Sequence, residues 1–303
     1  MAQLTGVGQT YQDATRREDL LDKISDVSPD KNYLSTVLKK TSASQTLHEW
    51  GNYYASRPTD NSAKTVEGDD DVFADLTAPT RKSNICQIIK DKFSVSGTQL
   101  AVDKISPKDG YARELAWAMP RFKSKQEFAL IRGTKASGSS GVAREMNGIR
   151  NFVVDEGKYT VRASGTSLSE TEFNNMIGDS WDVTDESVVD LILTTGTKKR
   201  DISKFTASNT RNISAEDKRL VNTISIYESD FGIHEIRAHK DMASNEVMGV
   251  KKDNLAIAYL RKPKHETLGQ SGDNKKGHIV GEMTAEVFGA VAMTLRTGYN
   301  LAS

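Results

Sequence analysis

Cysteine is almost absent: Cys86 is the one such residue among 303. A single thiol excludes an internal disulfide and a cysteine-based zinc centre, and it fits a reducing cytoplasm. Long apolar runs are absent as well. Nowhere do about 18 apolar residues follow one another, so no segment has the length to span a membrane. The start, MAQLTGVGQTYQD, lacks the basic-then-apolar layout of a signal peptide. Net charge is missing too, because 41 basic residues are balanced by 41 acidic ones. A chain whose main task is gripping nucleic acid carries a strong basic excess, and this one does not. No internal repeat recurs at a fixed period. The five histidines, the cysteine and the serines form no nucleophile–base constellation. The sequence therefore offers no catalytic residue, no cofactor and no metal site.

What is present is a chain long enough for one large or two moderate domains, with a modest 37% of apolar residues. That fraction is low for a compact monomer yet too high for disorder. Its longest helical pattern runs over residues 106–133. Ser106 is placed to cap it, Pro107 suits the first helical position, and Asp109 stands where a capping box wants a carboxylate. At 100° per residue Tyr111, Leu115, Met119, Phe122 and Ala129 share one stripe, while Trp117, Phe128 and Ile131 make a second strip on the flank. Gly133 is placed to end the helix in a left-handed turn, and Pro120 predicts a gentle bend opposite the stripe. A helix of about 40 Å that is apolar on two faces wants two partners.

Before it come a polar arm over residues 1–15 and two short helical patterns. One covers 17–25 with Leu20, Leu21 and Ile24. The other opens at Ser28-Pro29-Asp30 and presents Tyr33, Leu34, Val37 and Leu38. Residues 46–56 read as a strand bearing Trp50, Tyr53 and Tyr54. Residues 81–98 alternate apolar and polar, with Ile85, Ile88 or Ile89, Phe93 and Val95. The two dozen residues between them have almost no apolar pattern and include acidic Glu67, Asp69, Asp70 and Asp71. So long a structureless insertion is uncommon inside a compact domain. A two-stranded arm with its tip near 58–79 is the simpler reading. An isolated hairpin is marginal in water, so the arm is expected to lie on another subunit. Trp50, Tyr53, Tyr54, Ile88 and Phe93 are the expected contact anchors, with the acidic tip meeting basic residues of a neighbour.

After the long helix, TKASGSSG reads as a loop and residues 141–163 as short strands and turns. Ser167 and Glu170 form a capping box for a helix with Phe173, Met176 and Ile177, stopped by Gly178. Residues 187–195 read as a buried strand. A helix with Ile202 and Phe205 follows, and its Lys198-Lys199-Arg200 start sets positive charge at the unfavourable end of the dipole. Strands at 223–227 and 233–239 flank the turn ESDFG. A strand at 255–260, a polar connection over 262–274, and a last strand pair at 279–287 and 291–299 complete the chain. The class is α+β.

Three motifs dissolve on inspection. His234-Glu235 with His239 lacks the four-residue helical spacing of a zinc protease and falls in a strand. Asp230-Phe231-Gly232 stands without the other kinase signatures, which leaves a turn glycine. The acidic run fails as a calcium loop, because Phe73 and Thr80 occupy ligand positions. Basic pairs such as Lys39-Lys40 and Lys275-Lys276 are scattered, as on a solvated face.

Several segments in order resemble one family, the tailed-phage major capsid proteins of the Hong Kong 97-type fold, in its podovirus-type branch. SDVSPDKNYLSTVLKK followed by TLHEW resembles the family's opening. IYESDFGIHEIRAHK resembles its turn-centred strand pair. LAIAYLRKP and GDNKKGHIVGEMTAEVF resemble its closing strands. The resemblance covers the chain from about residue 25 onward, with a divergent middle over 135–220. It implies an N-terminal arm at 1–45 and an extended loop at 46–98. It also implies a peripheral domain at 99–149 and 261–303 with a spine helix at about 107–132, and an axial domain at 150–260. The implied function is self-assembly, as pentamers and hexamers, into an icosahedral shell around a phage double-stranded DNA genome. The implied partners are further copies of the chain, together with scaffold, decoration and portal proteins and DNA touched non-specifically on the inner face. No membrane is involved. The implied location is the virion, after synthesis in the host bacterial cytoplasm. Two other readings stand beside it: an encapsulin-like compartment holding enzyme cargo, and a monomeric enzyme or binding module.

Overall fold

The computed structural model describes residues 32–53, 67–68, 78–102, 109–183, 189–205 and 225–300. The chain opens with α1 (Tyr33–Val37), β1 (Lys39–Ser42), β2 (Leu47–Asn52), β3 (Thr80–Ile85), β4 (Gln87–Ser96) and α2 (Gly97–Ala101). It continues through α3 (Gly110–Arg132), α4 (Ile149–Glu156), β5 (Lys158–Thr166), α5 (Glu170–Trp181), β6 (Leu191–Thr194) and α6 (Gly196–Phe205). It closes with β7 (Ile226–Ser229), β8 (Gly232–Ala238), β9 (Val247–Val250), β10 (Leu255–Leu268), β11 (Asn274–Val287) and β12 (Thr294–Tyr299).

The long predicted helix is α3, and its ends correct the reading of the sequence. Asp109 is the cap: its carboxylate accepts the backbone N–H groups of Tyr111 at 2.9 Å and Ala112 at 3.2 Å. A charged acceptor at the positive end of the dipole makes a strong cap. Ser106 and Pro107 lie outside the described residues. Gly133 is not left-handed, with φ −52° and ψ 143°. Glycine is needed there because a Cβ would collide with the carbonyl oxygens of Met146 and Ala129. Tyr111, Phe122, Ala129 and Ile131 are buried as expected, while Phe128 and Met119 are about half exposed. Pro120 is carried inside the helix.

Three sheets organise the rest. One has the order β1-β10-β11-β4, another β5-β12-β9-β6-β8-β7, and the third is the β2-β3 pair. α3 packs on β4 and β11. The expected strand at 187–195 is β6, buried along its whole length at the centre of the six-stranded sheet. Its unbroken Leu-Ile-Leu run reflects burial on both faces. The hairpin around ESDFG is β7 and β8, with Gly232 at φ 136° in the turn.

Several expectations fail for physical reasons. Residues 262–268 continue β10 as strand, although they are polar and exposed on both faces. Backbone pairing with β11 holds them, and periodicity cannot register a strand that burial does not sustain. Pro263 sits in the irregular stretch between Arg261 and Lys264, where the ladder register shifts. The last two strands do not pair with each other. Gly289, at φ 61°, and a short turn at Ala290–Ala292 turn the chain out of the first sheet, so β12 joins β5 and β9 instead. Residues 261–300 are thereby divided between two sheets. α4 replaces the turns expected near 149–156, with Ile149, Phe152 and Val153 buried at helical spacing. The cap of α5 is Ser169, whose hydroxyl accepts the Glu172 N–H at 3.3 Å, and Gly178 lies inside the helix.

Two apolar clusters result. The larger gathers α1, α3, α4 and the four-stranded sheet, and includes Leu191, Leu193, Met248 and Leu295 from one face of the six-stranded sheet. The smaller lies on the opposite face, between Ile192, Ile236 and Val247 and the helices α5 and α6. Phe122 is central to the first. Phe122→Ala is expected to cost about 3–5 kcal/mol. Denaturant unfolding should show a lower midpoint at unchanged slope, and a loss under about 1 kcal/mol would contradict the packing.

Candidate assembly surface

Glu127 stands on α3 at 1% exposure. Its Oε1 accepts the Leu34 N–H at 2.6 Å and the His239 Nε2–H at 2.9 Å, and its Oε2 accepts the Ser35 N–H at 2.9 Å. The amides belong to the first turn of α1, whose own cap residue Asn32 makes no side-chain cap. A carboxylate from another helix thus satisfies donors that α1 leaves open. Burial pushes the Glu127 carboxyl up, but the bonds from His239, Ser35 and Leu34 outweigh it and hold the group below the usual carboxylate range. Beside the same histidine, burial raises the carboxyl of Asp241, reinforced by the Glu127 charge.

A second acid pins the same segment. Glu235 on β8 accepts the Tyr33 hydroxyl at 2.9 Å, Lys252 Nζ at 3.0 Å and Arg237 Nε at 2.6 Å. Desolvation opposes the charge, yet the bonds from Lys252, Arg237 and Tyr33 hold the carboxyl at about 2. The Arg237 guanidinium lies 4.8 Å from the Tyr33 ring centre. Sequence reasoning missed both acids. The available signal was Glu127 four residues before Ile131, on an otherwise apolar strip.

Among the described residues part of the charge is paired internally. Glu282 holds Arg144 at 2.6 Å and Arg261 at 2.9 Å, and Arg296 holds Glu172 at 2.9 Å and Asp179 at 2.7 Å. Asp91 holds Arg121 at 3.0 Å and Lys125 at 2.5 Å. The lysines that open α6 have partners too: Lys198 is buried against Asp201, and Lys199 Nζ donates to the Ile236 carbonyl. Those bonds account for positive charge at that helix end. Chemistry is not in evidence. Burial pushes the Cys86 thiol up to about 11, far from a reactive thiolate. His234 and Glu235 are strand residues serving different clusters. Among the described residues no group of three side chains suits a metal ion, and no helix is long and apolar enough to cross a membrane.

The expected contact anchors separate into two kinds. β2 and β3 pair antiparallel from Leu47↔Ile85 to Asn52↔Thr80, as the arm reading requires at its base. Trp50, however, is 9% exposed. Its Nε1–H donates to the Val287 carbonyl at 3.1 Å, and its ring lies 5.9 Å from Phe152 and 6.0 Å from Phe288. Phe93 is 8% exposed and packs 5.1 Å from Tyr111. Both fill the subunit's own core, a correction to their reading as exposed anchors. Phe93 does so because the strand expected at 81–98 is two strands, β3 paired with β2 and β4 in the four-stranded sheet, while Trp50 on β2 turns its ring onto Val287, Phe152 and Phe288. Tyr53 and Ile88 do face out, at 61% and 40% exposure. Glu67 is exposed in a turn with Gly68, whereas Tyr54, Asp69, Asp70 and Asp71 lie outside the described residues. Ile88 borders a groove of about 590 Å³ between β4 and α3, walled by Ile89 and Phe128 and edged by Lys90 and Glu145.

Comparison with known proteins agrees with this geometry. The family model described as SU10 major capsid protein matches residues 3–295. No curated protein matches the chain. The capsid asymmetric unit of cyanophage A-1(L) is similar in structure, with TM-score 0.65 and 12% identity over 94% of this chain and 97% of that one. The capsid of a native GTA particle gives TM-score 0.65 at 10% identity, over 94% and 96%. The SrpI encapsulin of Synechococcus elongatus gives 0.57 at 9% identity, over 97% and 94%. At such identities the structural likeness speaks for the fold alone, and that fold is the Hong Kong 97-like one.

The Glu127 junction predicts an acid response. Its folded pKa is depressed, so its contribution is fully present above the unfolded value of about 4.3 and is lost as pH falls through the lower folded value. Stability of the native chain should therefore drop below about pH 4. Glu127→Gln should be about 2–3 kcal/mol less stable at pH 7 and show a flatter fall in that window. Denaturant titrations at several pH values check this, and parallel curves for the two proteins would refute it.

Proposed function

The chain belongs to the SU10 major capsid protein family, and from that premise we propose how its surfaces build the shell. As a major capsid protein it is a structural component of a phage virion and works by assembling with copies of itself; it is not an enzyme. The contacts that join those copies are the proposal. The extended loop between β2 and β3 reaches a neighbouring subunit. The observation that carries this is the pairing of β2 with β3, after which the chain leaves with Tyr53 exposed to solvent. Exposed aromatic and apolar side chains at such a position supply contact energy when a neighbour covers them.

Tyr53 and Ile88 anchor that contact, Tyr54 adds to it, and the tip residues Glu67, Asp69, Asp70 and Asp71 meet cations on the neighbour. The arm expected over residues 1–45 does not include α1 and β1, which belong to the body. α3 with β4, β10 and β11 forms the peripheral domain. The six-stranded sheet with α5 and α6 forms the axial domain, which meets its copies around five-fold and six-fold axes. The balanced charge fits non-specific contact with packaged DNA on the inner face, and scaffold, decoration and portal proteins are further partners. Synthesis takes place in the host bacterial cytoplasm.

Electron microscopy and sedimentation of the chain expressed alone test the reading. Closed particles, rings or tubes are expected, and a monomer at every concentration and salt would count against self-assembly without a scaffold. Enzyme cargo inside the particles would instead favour a cellular compartment. Tyr53→Ser with Ile88→Asp should cut particle yield at least tenfold while the melting temperature stays within about 2 °C. Trp50→Ala should lower the melting temperature itself, since its ring is part of the core. Wild-type yield from the double variant would remove the anchors. Assembly indifferent to ionic strength would remove the acidic tip.

A further inference from the structure

Among the described residues the four-stranded sheet is only partly covered, and its edge strand β1 is exposed along its whole length. Strands lie about 4.8 Å apart and a helix is about 10 Å across, so one helix covers about two strands. α3 packs on β4 and β11. Beyond it, a groove of about 680 Å³ runs between α3 and the edge strand β1. Its floor is Met119, Phe122, Tyr259 and Pro263, and its rim carries Lys40, Lys123 and Lys262. The three lysines are exposed, and among the described residues they have no carboxylate partner. Their neighbours Arg121, Lys125, Arg144 and Arg261 are all paired. An apolar floor under unpaired cations asks for a segment that is apolar on one side and acidic on the other.

We propose that residues 17–26 of the same chain occupy this groove as a second helix on the sheet. Residues 1–31 lie outside the described structure, which begins at Asn32, three residues before the groove-lining Ser35. Six residues of tether, from 26 to 32, reach up to about 20 Å. Within REDLLDKISD, Leu20, Leu21 and Ile24 stand at helical spacing for the floor. Glu18, Asp19, Asp22 and Asp26 outnumber Arg17 and Lys23, which suits the lysine rim. So short a helix is marginal alone in water, so it needs a surface of this kind. The acidic tip is the competing occupant, since Val72, Phe73 and Leu76 follow its acids. Residues 17–26 are favoured because they are tethered directly to α1, which lines the groove, and the Val72→Cys pair tests the tip. The contact is internal to one chain and does not rest on the shell reading.

The test is a cysteine pair, Leu21→Cys with Met119→Cys, in the full-length chain under mild oxidation. Met119 is half exposed and Cys86 is buried, so neither the fold nor a spectator thiol should interfere. A disulfide within one chain is expected, seen as a faster-migrating single-chain band and mapped by mass spectrometry. Adding Leu20→Ser and Ile24→Ser should lower its yield at least fivefold. In the unsubstituted chain, carbodiimide coupling should join residues 17–26 to Lys40, Lys123 or Lys262, with Lys125–Asp91 as the internal control. Disulfides between chains would overturn the proposal, as would a yield no higher than that of Val72→Cys with Met119→Cys. Free rim lysines beside a coupled control would overturn it equally.

Discussion

One buried carboxylate ties the molecule together. Glu127 bridges the first turn of α1, the middle of the fold through α3, and the segment after β8 through His239. A buried charge is tolerable only when its acceptor sites are filled, and here two amides and an imidazole fill them. The arrangement fixes where the N-terminal segment enters the body. It also fixes the six-stranded sheet against the long helix, because His239 follows directly on β8. Removing either side leaves a charge or two amides without partners, so the three segments are positioned together or not at all.

From that junction the division of labour follows. Within the body many acids and bases pair, Trp50 and Phe93 lie in its core, and two apolar clusters share the faces of one sheet. What lies at the surface is different in kind. Tyr53 is exposed where the chain leaves β2, and Ile88 is exposed on β4 beside a groove. A capsid subunit needs this combination, since a body that folds by itself must still present unfilled surfaces to its copies. With 41 basic residues against 41 acidic ones, the chain has no net charge to offer a polyanion.

Much of this was legible in the sequence where one physical rule acted alone. The periodicity of α3, the continuous apolar run of β6 and the turn glycine of the β7–β8 hairpin all survived into the fold. Legibility failed where two rules competed. Ser106 was read as the cap with Asp109 as its capping-box partner, and Asp109 itself is the cap. Trp50 looked like an arm residue because aromatic alternation marks a strand but not the partner of its face. Residues 262–268 looked like a loop because their strand is held by backbone bonds to β11, which leave no hydrophobic trace.

By itself the sequence determined the fold class and the long helix, because local periodicity carries those properties. Its ordered segments also pointed to the capsid family. Only the tertiary structure decided which aromatic residues face inward, which sheet receives the last strand, and which acids are buried. Those outcomes depend on residues such as Glu127 and His239, 112 positions apart. Partners at that separation meet through packing, and no local pattern records the meeting.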